Sequence, residues 1–232
     1  MTKMEYKTLI VIPAYNEEAT IKKVVERAKV YADICVVNDG SKDRTKEIVE
    51  AIPGVVCINH IKNTHIPQTI LDGMKYALEN NYHYIITLDA GLSHNPDELP
   101  LLINEPPSDL VVGVRVKKEG VPLFRNLLSK IATFLINKSL RPAFSNLPKA
   151  KFTDITSGYR RYSHKSAELL LNRKMKAKTF DFLTESFMFV YRNNLHITEV
   201  PISYKFSNSS LNLKVVFDGL LMYLDFFIYN RK

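Results

Sequence analysis

The sequence predicts an α/β fold whose mainly parallel central sheet carries helices on both faces. Five short runs rich in β-branched residues lie at 8–13, 33–38, 54–59, 84–89 and 109–114. Helical patterns fill most of the stretches between them, and such alternation of strand and helix is typical of a parallel sheet covered on both sides. A chain of 232 residues that is 46% hydrophobic is long enough to form a single domain with a buried core.

The charge and the cysteines narrow the class of protein. A formal net charge of +8 favours anionic partners, such as a nucleotide or a phospholipid. We expect no nucleic-acid partner, because the sequence contains no helix-turn-helix, ribonucleoprotein or zinc-ligand pattern. Cys35 and Cys57 lie in the apolar runs ICVV and VVCI, which predicts buried thiols in a reducing compartment. The sequence shows neither a signal-peptide pattern nor an apolar run of roughly 18 residues, so we predict a cytoplasmic location.

The polar motifs of the first half follow predicted strands. PAYNEE, NDGSKD, NHIKN and DAGLSH come at the carboxyl ends of the first four, where ligands bind in open α/β sheets. We expect IPAYNEE to open a helix with Asn16 and Glu17 in its first turn, where backbone N–H groups suit a nucleotide. The side chains of Pro13 and Tyr15 can pack against a base or ribose. A simple helix cap is the alternative role for Asn16.

The second half combines helical, largely apolar stretches with the strand-like run HITEVPISYKF at 196–206. The stretch 121–140 predicts a helix with an apolar stripe formed by Phe124, Leu127, Leu128, Ile131 and Leu135. The apolar segment 211–229 includes a run at 215–229 that would reach only about 22 Å as a helix, short of a bilayer core. It therefore packs on the core or lies in a membrane surface. We predict one domain, with a nucleotide-binding half at 1–114 and an acceptor-binding half at 115–232.

Five motifs together carry a resemblance to a known family. IPAYNEE, VVNDGSKDRT, LDAGLSH, DITSGYRRY and EVPIS occur in the order and at the approximate spacing of the family 2 inverting glycosyltransferases. The chain most closely resembles the polyprenyl-phosphate branch, which includes enzymes like dolichol-phosphate mannose synthase, over residues 8–205. The resemblance implies a GT-A type, Rossmann-like fold with C-terminal helices at a membrane surface.

The resemblance also implies a set of donor-binding residues. These are Pro13, Ala14, Tyr15, Asn16, Glu17, Asp39, Gly40, Asn63, Asp89 and Ala90. In the family, the acid at the position of Asp39 contacts the donor base. A glycine-rich loop usually follows the asparagine, but this chain reads NTHIPQTILDG at 63–73. Without the glycines, its backbone cannot approach a phosphate as closely.

The expected metal site departs from the family pattern. The family's acid-x-acid motif binds a divalent cation that bridges the donor diphosphate, yet here Asp89 is followed two positions later by Gly91. Because Mg²⁺ keeps waters and uses substrate phosphates as ligands, one carboxylate can suffice. We therefore expect Mg²⁺ or Mn²⁺ on Asp89, with Ser93 as a candidate second ligand and His94 as a less favoured one.

The acceptor side follows from the same resemblance. Arg115, Arg125 and Ser129 match positions that hold the lipid phosphate, and forked guanidinium donors suit that group. Ser157 and Arg160 belong to a second set of phosphate-binding positions. Asp181 and Glu185 match acids that orient the sugar or act as a base. A phosphate nucleophile is already ionised at neutral pH, so transfer to it requires no strong base.

The function implied is inverting transfer of a sugar from GDP-mannose or a UDP-hexose to a polyprenyl or dolichyl phosphate. The basic charge and the two apolar stretches suit an enzyme on the cytoplasmic face of a membrane, with a possible membrane partner subunit. Two alternatives remain open. One is transfer to a sugar hydroxyl, and the other is a non-catalytic binding subunit that keeps only the fold.

Overall fold

The computed structural model describes residues 6–139, 151–177, 179 and 181–206. Within these ranges the strands are β1 Thr8–Ala14, β2 Asp33–Asn38, β3 Val55–Asn59, β4 Tyr84–Thr87, β5 Leu110–Glu119, β6 Arg160–Ser163 and β7 Ile197–Lys205. The helices are α1 Ile21–Ala28, α2 Thr45–Glu50, α3 His65–Glu79, α4 Leu99–Ile103, α5 Leu123–Ser139, α6 His164–Leu171 and α7 Asp181–Arg192. A 3-10 turn, Pro96–Glu98, precedes α4.

All the described strands join one sheet in the order β3-β2-β1-β4-β6-β5-β7. Every neighbouring pair is parallel except the two that involve β6, which runs antiparallel to both β4 and β5. The five strands predicted in the first half are confirmed. Strand β6 was missed, because its sequence RRYS does not resemble a buried strand. The predicted boundary near residue 115 falls within β5, so the two halves share this sheet.

The core consists of two layers, one on each face of the sheet. Side chains alternate along β1, so that Leu9 and Val11 pack in one layer while Ile10 and Ile12 pack in the other. Helices α3, α6 and α7 cover the first layer, and α1 and α4 cover the second. The predicted placement of helices on both faces is therefore confirmed.

A buried arginine explains how β6 can occupy the middle of the sheet. Arg161 is fully buried, and its guanidinium carbon lies 4.2 Å from the centre of the Tyr84 ring. Its Nη1 donates to the carbonyl oxygens of Leu102 and Glu105, both at 2.7 Å, and its Nη2 donates to that of Pro106 at 2.8 Å. Since these carbonyls follow or end α4, Arg161 supplies donors that the helix end lacks.

The prediction of buried thiols is confirmed for Cys35 and only in part for Cys57. Cys35 is fully buried and Cys57 partly buried, and neither forms a disulfide. Burial raises the pKa of Cys35 to about 12, and burial together with the charge of Glu50 raises the pKa of Cys57 to about 11. Both thiols are therefore protonated at neutral pH and unsuited to nucleophilic chemistry.

The apolar stripe of α5 faces outward. Phe124, Leu127 and Ile131 are 62%, 59% and 43% exposed, so the rest of the described chain leaves them largely uncovered. The opposite side of the helix contributes Ile136 to the core. Among the described helices, none combines the length and hydropathy needed to cross a bilayer. The predicted apolar helix at 211–229 lies outside the described residues.

Replacing Gly73 with alanine should destabilise the fold, although the same change usually stabilises a helix. A Cβ atom at Gly73 of α3 would lie 2.3 Å from Cγ1 of Val11 on β1. We expect Gly73→Ala to lower the free energy of unfolding by about 1–3 kcal/mol in urea denaturation, as overpacking does. Gly73→Ala should cost less when it is introduced into the Val11→Ala variant, which lacks the two Val11 methyl groups that cause the clash. Equal costs in the two backgrounds would contradict the close contact.

Candidate active site

A cleft of about 470 Å³ opens where β1, β2 and β3 end. Tyr15, Gly40 and Asn63, from three of the predicted motifs, all line it. The other lining residues are Asn38, Ser41, Lys42, Lys46, Asn59, His60, Ile61 and Lys62. The Tyr15 ring, several amides and three lysines make this cleft suitable for an anionic ligand with a planar ring.

Gly40 allows the loop after β3 to close one side of the cleft. Its φ angle is +68°, a conformation that glycine adopts without strain. An added Cβ would lie 2.7 Å from the carbonyl carbon of Lys62 and 3.0 Å from the backbone nitrogen of Asn63. A side chain at this position would therefore push the loop away and distort the cleft.

Asp39 holds the same loop in place. Its Oδ1 accepts hydrogen bonds from the backbone N–H and the hydroxyl of Thr64, both at 2.8 Å, and its Oδ2 accepts one from the N–H of His65 at 2.9 Å. Burial alone would raise the pKa of Asp39, but hydrogen bonds from His60, Thr64 and His65 outweigh it and lower the pKa. Contact with a donor base stays a prediction for this carboxylate.

His60 connects Asp39 to α3. Its Nδ1 lies 2.8 Å from Oδ1 of Asp39 and its Nε2 lies 3.0 Å from Oδ2 of Asp72. At the place of the family's glycine-rich loop, which the sequence already showed to be absent, α3 begins at His65, whose φ angle is 69°. The Asp39–His60–Asp72 contacts therefore tie the loop after β3 to α3.

The prediction that Asn16 and Glu17 lie in the first turn of a helix was wrong. Helix α1 begins at Ile21. The backbone N–H of Asn16 donates to Oγ of Ser41 at 3.0 Å, and that of Glu17 donates to Oγ1 of Thr45 at 2.8 Å. These N–H groups are used to join two loops, so they do not form an open anion site.

Glu17 nevertheless lies close to the predicted metal residue. Burial raises the pKa of Glu17, a hydrogen bond from Thr20 partly offsets this, and the negative charges of Asp89 and Asp43 raise the pKa further. The motifs that follow β1 and β4 therefore bring two acids to the same part of the rim.

Asp89 is partly exposed and ionised. Its side chain is 32% exposed. Its Oδ1 accepts from the backbone N–H of His94 at 3.0 Å and contacts Nδ1 of the same residue, while Oδ2 accepts from the N–H of Ser93 at 3.1 Å. Burial would raise the pKa of Asp89, but the charge and hydrogen bonds of His94 outweigh it and lower the pKa. This carboxylate is therefore charged at neutral pH.

A divalent cation would fit here only if protein and substrate oxygens coordinated it together. Across the described residues, no three His, Cys, Asp or Glu side chains group closely enough to hold a metal ion by themselves. Asp89 offers one charged carboxylate, so the rest of a coordination shell would come from waters and substrate oxygens, as is common for Mg²⁺. The role of Ser93 as a further ligand stays a prediction.

His94 and Tyr204 join the donor side to the acceptor side. The His94 side chain is buried, with its ring centre 5.4 Å from that of Tyr204. The guanidinium carbon of Arg115 lies 5.3 Å from the centre of the same Tyr204 ring. Tyr204 was not predicted as a site residue, because the sequence places it 89 positions from Arg115 and its role depends on the pairing of β5 with β7.

Arg115 and Ser129 come together as predicted, but Arg115 is already paired. Its Nε and Nη2 each lie 2.7 Å from one carboxylate oxygen of Asp154, which gives a two-pronged ion pair. Its Nη2 also donates to Oγ1 of Thr156 at 2.6 Å and approaches Oγ of Ser129 at 3.3 Å. Arg125 lies in the same helix as Ser129, and its side chain is outside the described part of the structure.

Arg160 and Ser157 follow the turn that contacts Arg115, but their side chains are enclosed within the chain. Both are fully buried, and Arg160 donates through Nε to the carbonyl of Ser157 and through Nη1 to that of Leu183, each at 2.7 Å. Its Nη2 donates to the carbonyl of Ile155. The prediction that Arg160 and Ser157 bind the acceptor phosphate does not agree with this burial, since Arg160 instead fastens the turn before β6 to α7.

The two acids of α7 also serve the local structure. Glu185 is 2% exposed and accepts from the backbone N–H groups of Lys176 at 3.0 Å and Ala177 at 2.8 Å. Asp181 is less buried and accepts from the N–H of Thr179 at 2.6 Å. Both carboxylates organise the segment before α7, and a catalytic role stays a prediction for each.

Comparison with known proteins now identifies the class. The model of the family "Glycosyl transferase family 2" matches residues 9–169. The chain therefore belongs to glycosyl transferase family 2, as the five motifs predicted, and it has the fold and the motifs of an enzyme of that class.

Two relatives resemble this chain over most of its length. The chain is 30% identical over 230 residues to the UDP-N-acetylglucosamine–dolichyl-phosphate N-acetylglucosaminyltransferase of Methanococcus voltae, covering 87% of each chain. It is 29% identical to the polyprenol monophosphomannose synthase of Mycolicibacterium smegmatis, covering 85% of this chain and 77% of the relative.

A solved structure confirms the predicted GT-A type fold. Glucosyl-3-phosphoglycerate synthase from Mycobacterium tuberculosis, in complex with Mn²⁺, UDP and phosphoglyceric acid, matches with a TM-score of 0.72. The match covers 95% of this chain and 78% of the synthase at 15% identity. At this identity the likeness concerns the fold.

Replacing Asp154 with asparagine tests the buried ion pair through its pH dependence. Burial would raise the pKa of Asp154, but hydrogen bonds and charge from Arg115 outweigh it and lower the pKa. A lowered pKa adds stability above the unfolded-state pKa of about 4, and that stability is lost as pH falls through the folded-state value. We expect Asp154→Asn to cost about 3–5 kcal/mol at pH 7 and clearly less near pH 3, as measured by urea unfolding.

The matched control for this experiment is Asp97→Asn. Asp97 pairs with Arg27 at the surface, where 57% of its side chain is exposed. Exposed pairs contribute little to stability, so this variant should unfold like the unaltered protein at both pH values. A cost for Asp154→Asn that does not change with pH would contradict the assignment.

Proposed function

We propose that the protein transfers a sugar from a nucleoside-diphosphate sugar to the phosphate of a membrane polyprenyl lipid. The observation that carries this is the continuity of the rim, on which Asp89, His94, Tyr204 and Arg115 follow one another in contact. Donor and acceptor residues can therefore serve one reaction. Two relatives that the chain matches over most of its length are named as a dolichyl-phosphate N-acetylglucosaminyltransferase and a polyprenol monophosphomannose synthase.

The donor is proposed to bind in the cleft with its base beside Tyr15 and its diphosphate directed toward Asp89. Lys42, Lys46 and Lys62 line the cleft and suit the negative charge of a nucleotide. GDP-mannose and UDP-hexoses are both candidate donors, and the named donor of one relative is UDP-N-acetylglucosamine.

Asp89 is the proposed site of a Mg²⁺ or Mn²⁺ ion. When bound, such an ion would stabilise the negative charge that collects on the leaving nucleoside diphosphate. The role of this chain is to keep Asp89 ionised and correctly oriented, which the hydrogen bonds from Ser93 and His94 do.

The acceptor phosphate is proposed to bind near Arg115 and Ser129 and to attack the sugar C1 from the side opposite the diphosphate. The phosphate oxygen is already ionised, so its attack needs orientation and charge balance rather than a base. Burial of Glu185 agrees with this, because a carboxylate enclosed by backbone N–H groups is badly placed to remove a proton from a hydroxyl acceptor.

We further propose that the enzyme works at the cytoplasmic face of a membrane through the exposed apolar stripe of α5. Exposed leucine and phenylalanine side chains on one helix face, together with a formal net charge of +8, suit an anionic lipid surface. A membrane partner subunit is compatible with the same face.

Asp89→Asn should abolish most transfer activity. The experiment uses the purified protein with Mg²⁺ or Mn²⁺, a panel of GDP-mannose, UDP-glucose and UDP-N-acetylglucosamine, and farnesyl phosphate as acceptor. We expect kcat/KM to fall about 100-fold or more, because the variant loses the charge that holds the metal and diphosphate. Asp97→Asn, an acid from the same segment, should keep full activity. The metal-site assignment is wrong if the two variants retain equal activity.

The Gly91→Asp variant, tested in the same assay, introduces the acid that the family pattern has at this position. Gly91 stands two positions after Asp89, where the family pattern has its second acid. We expect Gly91→Asp to lower the Mn²⁺ concentration that gives half-maximal activity, since a second carboxylate adds a ligand. An unchanged or higher concentration would count against a metal at Asp89.

Leu127→Glu should weaken membrane binding. The variant places a charge in the middle of the α5 stripe, and losing one buried leucine corresponds to about tenfold or more in affinity. Binding is measured by co-sedimentation with vesicles of phosphatidylglycerol and phosphatidylcholine. The matched control is Leu101→Glu on α4, because Leu101 is also exposed, at 45%, but lies away from the stripe. Equal binding by both variants would exclude α5 as the membrane contact.

A further inference from the structure

Strand β5 contains a β-bulge beside the proposed acceptor site. Its register with β7 pairs Arg115 with Ile202, Lys117 with Ser203 and Lys118 with Tyr204, which leaves Val116 as the extra residue. Val116 is 60% exposed. Such an extra residue reverses the alternation of side chains beyond it and redirects the side chains that follow.

The bulge changes which lysine shares a face with Arg115. In a regular strand, Arg115 and Lys117 would point to the same side, because side chains alternate with a period of two. Here the partners of Arg115 and Lys118 are Ile202 and Tyr204, which are two residues apart on β7 and so share a face. Lys118 therefore joins Arg115, and Lys117 is exposed.

Contacts with α5 agree with this arrangement. Nζ of Lys118 donates to Oδ1 of Asn126 at 2.9 Å, and Nη2 of Arg115 approaches Oγ of Ser129 at 3.3 Å. Asn126 and Ser129 are three residues apart on the helix and so lie near each other on its surface. Arg115 and Lys118 thus line the same junction between β5 and α5.

Positive side chains outnumber carboxylates at this junction among the described residues. Asp154 balances Arg115 through a two-pronged ion pair, whereas within the described part of the chain no carboxylate forms an ion pair with Lys118. Burial lowers the pKa of Lys118, the charge of Asp154 opposes this, and the charges of Arg115 and Lys130 add to the lowering. The junction therefore holds a half-buried ammonium group whose charge is not matched.

We propose that Lys118 binds the acceptor phosphate monoester directly. Arg115, which Asp154 holds in one orientation, contacts the same phosphate from a fixed position. This inference rests on the proposed function and adds a binding residue that the motifs did not indicate. An ammonium group on a flexible stem can follow the phosphate, while the paired guanidinium keeps one orientation. The phosphate supplies the negative charge that the junction lacks.

Lys118→Met tests the proposal, with Lys117→Met as the matched control from the same strand. Isothermal calorimetry measures binding of farnesyl phosphate, with farnesol as the probe for the lipid chain alone and inorganic phosphate as the probe for a free anion. We expect Lys118→Met to weaken farnesyl phosphate binding about tenfold or more, as loss of a charge-assisted hydrogen bond does. Lys117→Met should bind like the unaltered protein, and farnesol binding should be equal in all three.

The titration with inorganic phosphate distinguishes a site for a lipid phosphate from a site for a free phosphate ion. If the site recognises a lipid phosphate, inorganic phosphate should bind far more weakly than farnesyl phosphate and should lose the same factor in Lys118→Met. Lys118→Arg should recover part of the affinity, which a purely structural role for the Asn126 contact would not require. The proposal is overturned if Lys118→Met and Lys117→Met bind farnesyl phosphate equally well.

Turnover separates this inference from the proposed function. The unaltered protein can bind farnesyl phosphate through Lys118 and yet transfer no sugar to it, in which case the function fails and the ligand assignment stands. Where transfer occurs, Lys118→Met should raise KM for farnesyl phosphate about tenfold and leave KM for the nucleotide sugar unchanged. An equal rise in both KM values would overturn the assignment.

Discussion

The ion pair between Arg115 and Asp154 is the contact on which the acceptor side of the molecule depends. It joins β5 to the turn at 154–156, and that turn is held in addition by Glu199 of β7, which accepts from the backbone N–H of Thr153 at 2.7 Å. Since an unpaired charge would be costly at this depth, each partner requires the other to remain in place. The Arg115 guanidinium thus connects β5 to the turn through Asp154 and to α5 through Ser129.

Buried arginines extend this principle through the second half of the fold. Arg160 fastens the turn to α7, and Arg161 fastens β6 to the end of α4. Each satisfies carbonyl oxygens that would otherwise be buried without a donor, which would be unfavourable. Two charged residues in a tetrapeptide strand are therefore a way of supplying donors to loops, and the Arg-Arg pair of the TSGYRRY motif has a structural explanation independent of any ligand.

Site residues and structural residues were hard to separate in the sequence. Asp39 and Asp89 follow the ends of β2 and β4 as expected, whereas Arg115 lies within β5, which continues to Glu119. The cleft brings together residues of three predicted donor motifs. Arg160 and Glu185 match family positions equally well, yet both are buried and hydrogen-bonded within the chain. A motif records which residue types occur together, whereas exposure depends on the elements that pack over them.

Strand periodicity and motif order were sufficient to establish the parallel sheet, the helices on both faces and the family, because these properties follow from local patterns along the chain. Only the tertiary structure decided that Tyr204 joins His94 to Arg115, and that the bulge at Val116 turns Lys118 toward α5. Both depend on the register of β5 against β7, strands separated by more than 70 residues. Such a register is set by packing across the whole sheet, and no local stretch of sequence contains it.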